Sequence, residues 1–218
     1  MRRPISPHAL LPFALLAALA ATLPAGAAAD DPWQLLAGAR KAMQESGPQQ
    51  WTFTQTYLPT GFDRGEEESG RVALDLPRCV RWDYDQPYPK SFLLCGERLW
   101  AWNPGEPVGH LYDLDRAQPG LDLLLLAVDD LDDRYTARVQ AAGRSTRVHL
   151  TPRAAGPNVL KDAALLIDAT GKVRELTYRD AEGNRSTFRF AGGKALAAGP
   201  HFDPPDGVKW EKDGDAGR

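Results

Sequence analysis

Beyond the first 29 residues, the side chains best suited to catalysis or metal binding are two cysteines and three scattered histidines. His110, His149 and His201 are each isolated in sequence from other candidate metal ligands, and the chain has no HExxH or CxxC motif. No serine lies in a GxSxG nucleophile elbow, and Cys79 and Cys95 suit a structural role better than a nucleophilic one. The sequence therefore gives no positive support for catalysis, a cofactor or a metal site, and we expect a protein that is not an enzyme.

An acidic run from Asp129 to Asp133 is the other candidate for cation binding. The run lacks the alternating ligands and the internal glycine of a calcium loop. We interpret it as a solvated stretch beyond the end of a helix.

The N-terminus predicts export. Two arginines precede an apolar run from Ala9 to Leu23, and small residues follow at Ala27-Ala28-Ala29. This is the pattern of a secretory signal peptide with cleavage before Asp30. The apolar run is interrupted by a proline and is shorter than the roughly 20 residues of a membrane-spanning helix. We expect residues 1–29 to be removed and the secreted chain to reside in the periplasm of a Gram-negative bacterium.

The length and charge of the secreted chain limit its organisation and its partners. Residues 30–210 suffice for one domain with a core, and the charged or small residues 211–218 favour a disordered tail. The whole chain has a net charge of −3, and loss of the leader's arginines makes it more acidic, which argues against nucleic acid as a partner. We expect a monomer.

The aromatic residues are numerous for a polar, secreted chain. Six Trp, six Tyr and seven Phe must be concentrated in a core or around a cavity.

The two cysteines favour a disulfide in an oxidising compartment. In a hairpin that folds about Pro87, Cys79 and Cys95 are equidistant from the turn and therefore face each other. A bridge that closes so short a loop contributes about 3 kcal/mol in the chain-entropy model. The alternative is two free thiols, because a tight turn at Cys95-Gly96 would displace the sulfur.

Periodicity predicts one N-terminal helix followed by short strands. Asp31-Pro32 suits a helix start, and apolar residues continue at helical spacing as far as Met43. From Trp51 the pattern alternates, which predicts a half-buried strand, and the acidic stretch Gly61 to Gly70 predicts a solvated turn. Further strands are predicted at residues 71–76, 80–84, 92–94, 99–102, 108–114, 135–139, 146–150, 163–167, 173–178 and 186–190.

Short strands joined by short turns predict a mainly β fold built on an antiparallel sheet. The exception is Leu121 to Leu131, whose leucine-rich sequence predicts a helix that is apolar nearly all round and must be covered. We expect it to lie against the concave face of the sheet. The prolines in Phe202 to Val208 allow that segment to pair only at a sheet edge.

An ordered set of short motifs spans nearly the whole secreted chain. They are Phe53-Thr54-Gln55-Thr56; Pro77-x-x-x-x-Trp82 running to Gln86-Pro87; Gly96-x-x-Leu99-Trp100-x-x-Asn103-Pro104; Leu150-Thr151-Pro152; and Phe202-x-Pro204-Pro205-x-Gly207-Val208. Each motif alone is only turn residues and aromatic residues, but in this order and spacing they resemble the periplasmic outer-membrane lipoprotein carrier family, LolA-type.

The resemblance implies both a fold and a task. The fold is an incomplete, strongly curved antiparallel β-barrel with helices covering an apolar cavity. The task is to receive acylated lipoprotein cargo from an inner-membrane ABC lipoprotein exporter and to pass it to an outer-membrane lipoprotein receptor. An apolar cavity suits this task, because each acyl CH₂ left in water costs about 0.8 kcal/mol.

Site residues follow from the resemblance together with alternation along the strands. The resemblance implies that Trp82 faces the cavity, and a period of two carries Val80 and Tyr84 to the same side. For Phe92 and Leu94 the side depends on where the next turn lies, and ordinary core packing is the alternative throughout. The predicted lining residues are Trp51, Phe53, Tyr57, Leu76, Val80, Trp82, Tyr84, Phe92 and Leu94. The predicted lid residues are Leu36, Met43, Leu124, Leu125 and Val128, for which core packing is as reasonable as cargo contact.

Three other functions compete with the lipoprotein carrier. The same fold could carry another acylated lipid or glycolipid. It could also serve as a lipoprotein-sensing regulatory module, although such modules usually have a second domain and this chain ends at Arg218. A secreted hydrolase is opposed by the missing nucleophile and metal motifs.

One departure from the family pattern generates a test. The resemblance implies an arginine before Pro77 that hydrogen-bonds the lid, whereas this chain has Leu76, which can only pack. We expect Leu76→Arg to stabilise the cargo-free closed form and slow cargo uptake, since charge-assisted hydrogen bonds are worth about 1.5–3 kcal/mol each. Melting temperature and dye-uptake rate of both proteins measure this. A lower melting temperature with unchanged or faster uptake contradicts it.

Overall fold

The structure is a computed structural model that describes residues 31–113, 123, 128–156, 159–197 and 199–212. The predicted leader, most of the leucine-rich stretch around Leu124 and Leu125, and the last six residues lie outside the described part. Within the described residues, no helix combines the length and the apolar character needed to cross a membrane.

Twelve strands form one sheet in the order β12-β6-β5-β4-β3-β2-β1-β11-β10-β9-β8-β7. Every neighbouring pair is antiparallel except β12 and β6, which are parallel. The sheet ends at β12 and β7 and is not closed, which confirms the predicted incomplete antiparallel barrel. The strands are β1 (Gln49–Leu58), β2 (Glu66–Asp75), β3 (Cys79–Gln86), β4 (Lys90–Cys95), β5 (Arg98–Trp102), β6 (Val108–Asp113), β7 (Tyr135–Ala142), β8 (Ser145–Pro152), β9 (Asp162–Ile167), β10 (Val173–Arg179), β11 (Arg185–Ala195) and β12 (Lys209–Lys212).

The sheet is strongly curled. Trp82 on β3 and Phe188 on β11 are separated by two strands, which in a flat sheet places their backbones about 14 Å apart. Their ring centroids are nevertheless 5.0 Å apart. We call the side that carries these two rings the inner face, and the opposite side the outer face.

Helix α1 (Pro32–Glu45) forms where the sequence predicts it. The Asp31 carboxylate caps the helix by accepting a hydrogen bond of 2.9 Å from the backbone N–H of Trp33. At the other end, the Ser46 backbone and hydroxyl both donate to the carbonyl of Ala42, at 3.2 and 2.7 Å. Leu36 is buried in the core, so α1 closes part of the inner face.

Helix α2 (Val128–Arg134) contains the acidic run that was predicted to lie beyond a helix end, so that prediction is wrong. Asp132 and Asp133 are exposed on the helix, where carboxylates remain solvated. Asp132 is also paired with Arg153, whose guanidinium donates to its carboxylate at 3.2 Å and to its carbonyl at 2.9 Å. Helix α2 contacts α1 and leads directly into β7.

Strand β2 begins earlier than predicted, because half of the supposed turn Gly61 to Gly70 is strand. Pairing with β1 extends to Tyr57 opposite Glu66. Gly70 is not a turn residue: a Cβ there would lie 2.0 Å from the carbonyl oxygen of Asp83. The glycine allows close approach of β2 and β3 where their register shifts.

The predicted disulfide is confirmed. Cys79 and Cys95 are register partners on β3 and β4, with sulfurs 2.07 Å apart and Cα atoms 4.3 Å apart. The alternative of two free thiols is wrong, because the turn takes its positive φ at Gly96, one residue beyond the second cysteine. The bridge lies on the outer face, since both cysteines alternate with Val80 and Leu94.

The C-terminal segment runs over the outer face before it joins the sheet. The guanidinium of Arg81 donates to the carbonyl of His201 at 3.4 Å, and Trp210 packs edge-on against Trp102 with centroids 6.0 Å apart. Pairing with β6 at the sheet edge involves Lys209–Lys212 rather than Phe202 to Val208. Residues 211 and 212, which were predicted to belong to a disordered tail, are therefore part of β12.

We expect Asp168, in the β9–β10 turn, to make a pH-dependent contribution to the free energy of unfolding. Burial raises the pKa of the Asp168 carboxyl, but hydrogen bonds from Thr170, Lys172 and Arg174 lower it by a larger amount. The pKa in the folded protein is therefore below its usual value. We expect Asp168→Ala to lower the free energy of unfolding by about 1–3 kcal/mol at pH 7. Because the folded pKa is depressed, this loss shrinks as pH falls below about 4.

Denaturant titrations of both proteins between pH 3 and pH 7 measure the difference. Asp63→Ala in the exposed β1–β2 connection is the matched control, with an expected change within about 0.5 kcal/mol. A cost for Asp168→Ala that is the same at pH 3 and pH 7 contradicts the assignment.

Candidate functional site

The inner face is dominated by a cluster of aromatic rings. Phe53 lies at its centre, with its ring centroid 4.8 Å from that of Trp82 and 4.9 Å from that of Tyr84, both edge-on. Phe188 stacks on Phe190 and reaches Trp82 from the far side of β1. We call these rings the aromatic cluster: Phe53, Trp82, Tyr84, Phe92, Tyr178, Phe188 and Phe190.

Aliphatic side chains extend the aromatic cluster into one continuous core. Val72 and Val80 are fully buried on β2 and β3, and Leu176 is fully buried on β10. Leu36 of α1 and Leu131 of α2 belong to the same core, so both helices cover the inner face. Trp82 is only 2% exposed, so the rings contact protein rather than solvent.

Most of the predicted lining residues lie in or against the core of the inner face, and one does not. The structure brings Trp51, Phe53, Val80, Trp82 and Tyr84 together in the core, packs Leu76 and Phe92 against it, and buries Leu94 on the same face. Tyr57 is half-buried near the end of β1 and is not part of the core cluster. That these residues line a cargo cavity stays a prediction.

The predicted lid residues are only partly described. Leu36 is buried in the core and Met43 packs against it. Val128 is the first residue of α2, but its side chain is outside the described part, as are Leu124 and Leu125 entirely.

Sequence reasoning missed the C-terminal half of this face. Phe188 and Phe190 are 1% and 8% exposed, and Val148, Leu150 and Leu165 on β8 and β9 are equally buried. The available signal was the alternation along residues 163–167 and 186–190, which identifies one apolar side of each strand.

A polar network lies at one end of the inner face. The Tyr84 hydroxyl donates to Gln55 Oε1 at 2.5 Å. Lys90 Nζ donates to Glu68 Oε1 at 2.6 Å and lies 4.5 Å from the centroid of the Tyr84 ring. Burial, the Glu68 carboxylate and Tyr178 raise the pKa of Tyr84, so its hydroxyl remains a neutral donor. This network closes the apolar core towards the β1–β2 and β3–β4 connections.

A groove of about 430 Å³ separates α1 from the β9–β10 turn. Its walls mix polar and apolar groups, because Asp168 faces it from the turn and Leu35 from the helix. The small residues Gly38 and Ala39 of α1 leave the space open. The groove marks a place where α1 is not packed tightly on the sheet.

The inner face is suited to contact with apolar groups rather than to catalysis or metal binding. Among the described residues, no three His, Cys, Asp or Glu side chains converge on one point as metal ligands. His149 lies on the outer face, where burial together with Arg138 and Arg147 lowers its pKa. The inner face therefore offers apolar surface, with a polar network at its end.

The tight packing of Phe188 gives a quantitative test. We expect Phe188→Ala to lower the free energy of unfolding by about 3–5 kcal/mol, because the ring is 1% exposed and its removal leaves a cavity among four other aromatic rings.

The control is Tyr88→Ala, whose ring is 76% exposed and whose removal is expected to change stability by less than about 0.5 kcal/mol. Chemical denaturation of both variants measures the costs. A loss below about 1 kcal/mol for Phe188→Ala would mean that the ring lines an open space rather than a packed core.

Comparison with known proteins agrees with this architecture. The model of the family described as outer membrane lipoprotein carrier protein LolA matches residues 49–200. An outer-membrane lipoprotein carrier protein of Xanthomonas axonopodis pv. citri (strain 306) is 33% identical over 152 residues, covering 66% of this chain and 71% of the relative. Its counterpart in Pectobacterium atrosepticum is 27% identical over 159 residues, covering 72% and 77%.

A solved structure supports the fold alone. The crystal structure of an uncharacterized conserved protein from Thermus thermophilus superimposes with a TM-score of 0.51 at 13% identity, covering 83% of this chain and 98% of that one. Together with the family match over the sheet, these similarities show that the chain belongs to the outer membrane lipoprotein carrier protein family, LolA.

Proposed function

We propose that this protein is a periplasmic carrier that shields the acyl chains of a lipoprotein between its inner face and its helices. It passes the cargo from the inner to the outer membrane and catalyses no reaction. The observation that carries the proposal is the continuous apolar inner face, which runs across the sheet from β3 to β7 and is covered by α1 and α2.

The energetics favour such a surface for this task. A chain of 15 methylenes left in water costs about 12 kcal/mol, at roughly 0.8 kcal/mol for each CH₂. The inner face offers aromatic rings and aliphatic side chains that can replace water around the chain. A flat apolar surface would leave half of the acyl chain wet, whereas a curled sheet with a helix across it can surround the chain.

Loading requires the protein to open. The aromatic cluster is packed, since Trp82 is 2% exposed, so an acyl chain must displace side chains or helices. The sheet can accommodate this, because its end strands β12 and β7 do not pair with each other. Closing the empty protein restores the packed core, so binding remains weak enough for a receptor to remove the cargo without ATP.

We assign the acyl-binding role to the predicted lining residues and add the buried rings that reasoning from the sequence had missed. The lid role is assigned to α1 through Leu36 and Met43, and to the leucine-rich segment before α2. The proposed lining residues are Trp51, Phe53, Leu76, Val80, Trp82, Tyr84, Phe92 and Leu94, with Phe188 and Phe190; Tyr57 is proposed at the edge of the site.

The proposed partners and location follow from the same task. The donor is an inner-membrane ABC lipoprotein exporter and the acceptor is an outer-membrane lipoprotein receptor. A periplasmic location is supported by the secretory leader pattern in residues 1–29 and by the disulfide between Cys79 and Cys95, a bond typical of oxidising compartments.

Displacement of an environment-sensitive apolar dye tests the proposal. The secreted chain is expected to bind the dye and to release it when a diacylated lipopeptide is added, because both ligands compete for the same apolar surface. The unacylated peptide of the same sequence is the control and is expected to displace no dye. Equal displacement by both peptides, or by neither, contradicts the proposal.

A further inference from the structure

Trp51 carries a buried donor whose partner is missing. The side chain is 3% exposed, and none of the described residues accepts a hydrogen bond from its Nε1–H. The buried hydroxyl of Tyr84, also on the inner face, differs because it donates to Gln55 at 2.5 Å. An indole donor removed from water without an acceptor costs free energy, so its retention requires an explanation.

The indole is held in place by its surroundings. A β-bulge lies between Gln50 and Trp51, where β1 pairs with a double glycine of β11. Gly193 of that pair has φ +107°, and a Cβ there would lie 3.1 Å from both Cε2 and Cζ2 of the indole. No residue larger than glycine therefore fits without moving the ring.

Two cations fix the indole further. Lys172 Nζ and Arg174 Cζ lie 5.7 and 5.4 Å from the centroid of the Trp51 ring. The guanidinium of Arg174 is itself committed, because its Nε donates to Asp168 at 2.6 Å. The ring thus has little freedom to rotate towards an acceptor, and the acceptor must come to the ring.

The position of Trp51 restricts which acceptor can reach it. Its register neighbours across the sheet are Val72 on β2 and then Trp82 on β3, all on the inner face. A ligand that enters this region must be mostly apolar and yet carry an oxygen acceptor. An acyl group meets both conditions, because its hydrocarbon chain is attached through a carbonyl.

We propose that Trp51 Nε1 donates a hydrogen bond to an acyl carbonyl of the bound cargo and so sets the depth of the acyl chain in the site. This inference rests on the proposed carrier function. The residue acts as a specificity determinant that distinguishes acyl chains from plain alkyl chains.

Two matched probes test the proposal on the secreted chain. They are a diacylglyceryl lipopeptide with ester-linked chains and its diether analogue, which have the same peptide and the same chain length. The measured quantity is the ratio of ester affinity to ether affinity in each protein. This ratio is expected to be roughly 2- to 13-fold higher in wild type than in Trp51→Phe, the range for one neutral hydrogen bond. Trp102→Phe is the control, since it makes the same substitution on the outer face, where the ring packs against Trp210, and is expected to retain the wild-type ester-to-ether ratio.

A spectroscopic readout separates hydrogen bonding from packing. With a ¹³C-labelled ester carbonyl, the carbonyl stretch of the wild-type complex is expected at lower frequency than that of the Trp51→Phe complex. If Trp51→Phe does not fold, the wild-type complex decides: a stretch at the frequency found in alkane solvent overturns the proposal, and a lower frequency supports it.

The outcomes distinguish the two levels of proposal. Failure of both lipopeptides to bind wild type overturns the carrier function itself. Binding of both, with the same ester-to-ether ratio in wild type and Trp51→Phe, overturns the role of the indole and leaves the carrier function standing.

Discussion

The contact between Trp82 and Phe188 is the constraint on which the rest of the structure depends. These rings belong to β3 and β11, which have two other strands between them, and they meet only because the sheet curls. The curl turns one side of a twelve-stranded sheet into an interior, which α1 and α2 then cover. Without it, the inner-face rings would form an exposed apolar surface, which favours aggregation.

The outer face carries covalent and polar links that hold neighbouring parts of the chain together. The disulfide joins β3 to β4 on that side, and the C-terminal segment contacts β3 through Arg81 and β5 through Trp102. Strand β3, which carries Val80 and Trp82 on the inner face, is therefore linked on its outer face to β4 and to the C-terminal segment. In the proposed carrier, inner-face side chains rearrange around the cargo while the backbone register of β3 and β4 is kept.

Local periodicity explains which parts of the fold could be predicted. Alternation along β1 and β3 identifies Phe53 and Trp82 as members of one face, and the equal spacing of Cys79 and Cys95 about Pro87 predicts their pairing. The early start of β2 could not be predicted, because a glycine such as Gly70 is typical of turns, whereas here it allows β2 and β3 to approach closely. The helical state of the acidic run was missed because its carboxylates suggest a loop, whereas α2 exposes Asp132 and Asp133 to solvent.

The site was harder to predict than the fold, because it depends on pairing between distant parts of the chain. Phe188 becomes a neighbour of Phe53 only through the pairing of β1 with β11, which no short-range pattern specifies. The lack of an acceptor for Trp51 among the described residues is likewise invisible in sequence, since it depends on how Gly193 of β11 and Arg174 of β10 pack around the indole.

The central claim is that acyl chains occupy the space against the inner face. A lipopeptide with a nitroxide on its acyl chain, added to protein with ¹³C-labelled methyl groups, tests it directly by paramagnetic broadening. The account predicts stronger broadening of Val80 and Leu176 than of Leu93, which is equally buried but alternates to the outer face, because the effect falls steeply with distance from the nitroxide. Stronger broadening of Leu93 than of Val80 and Leu176 would contradict it.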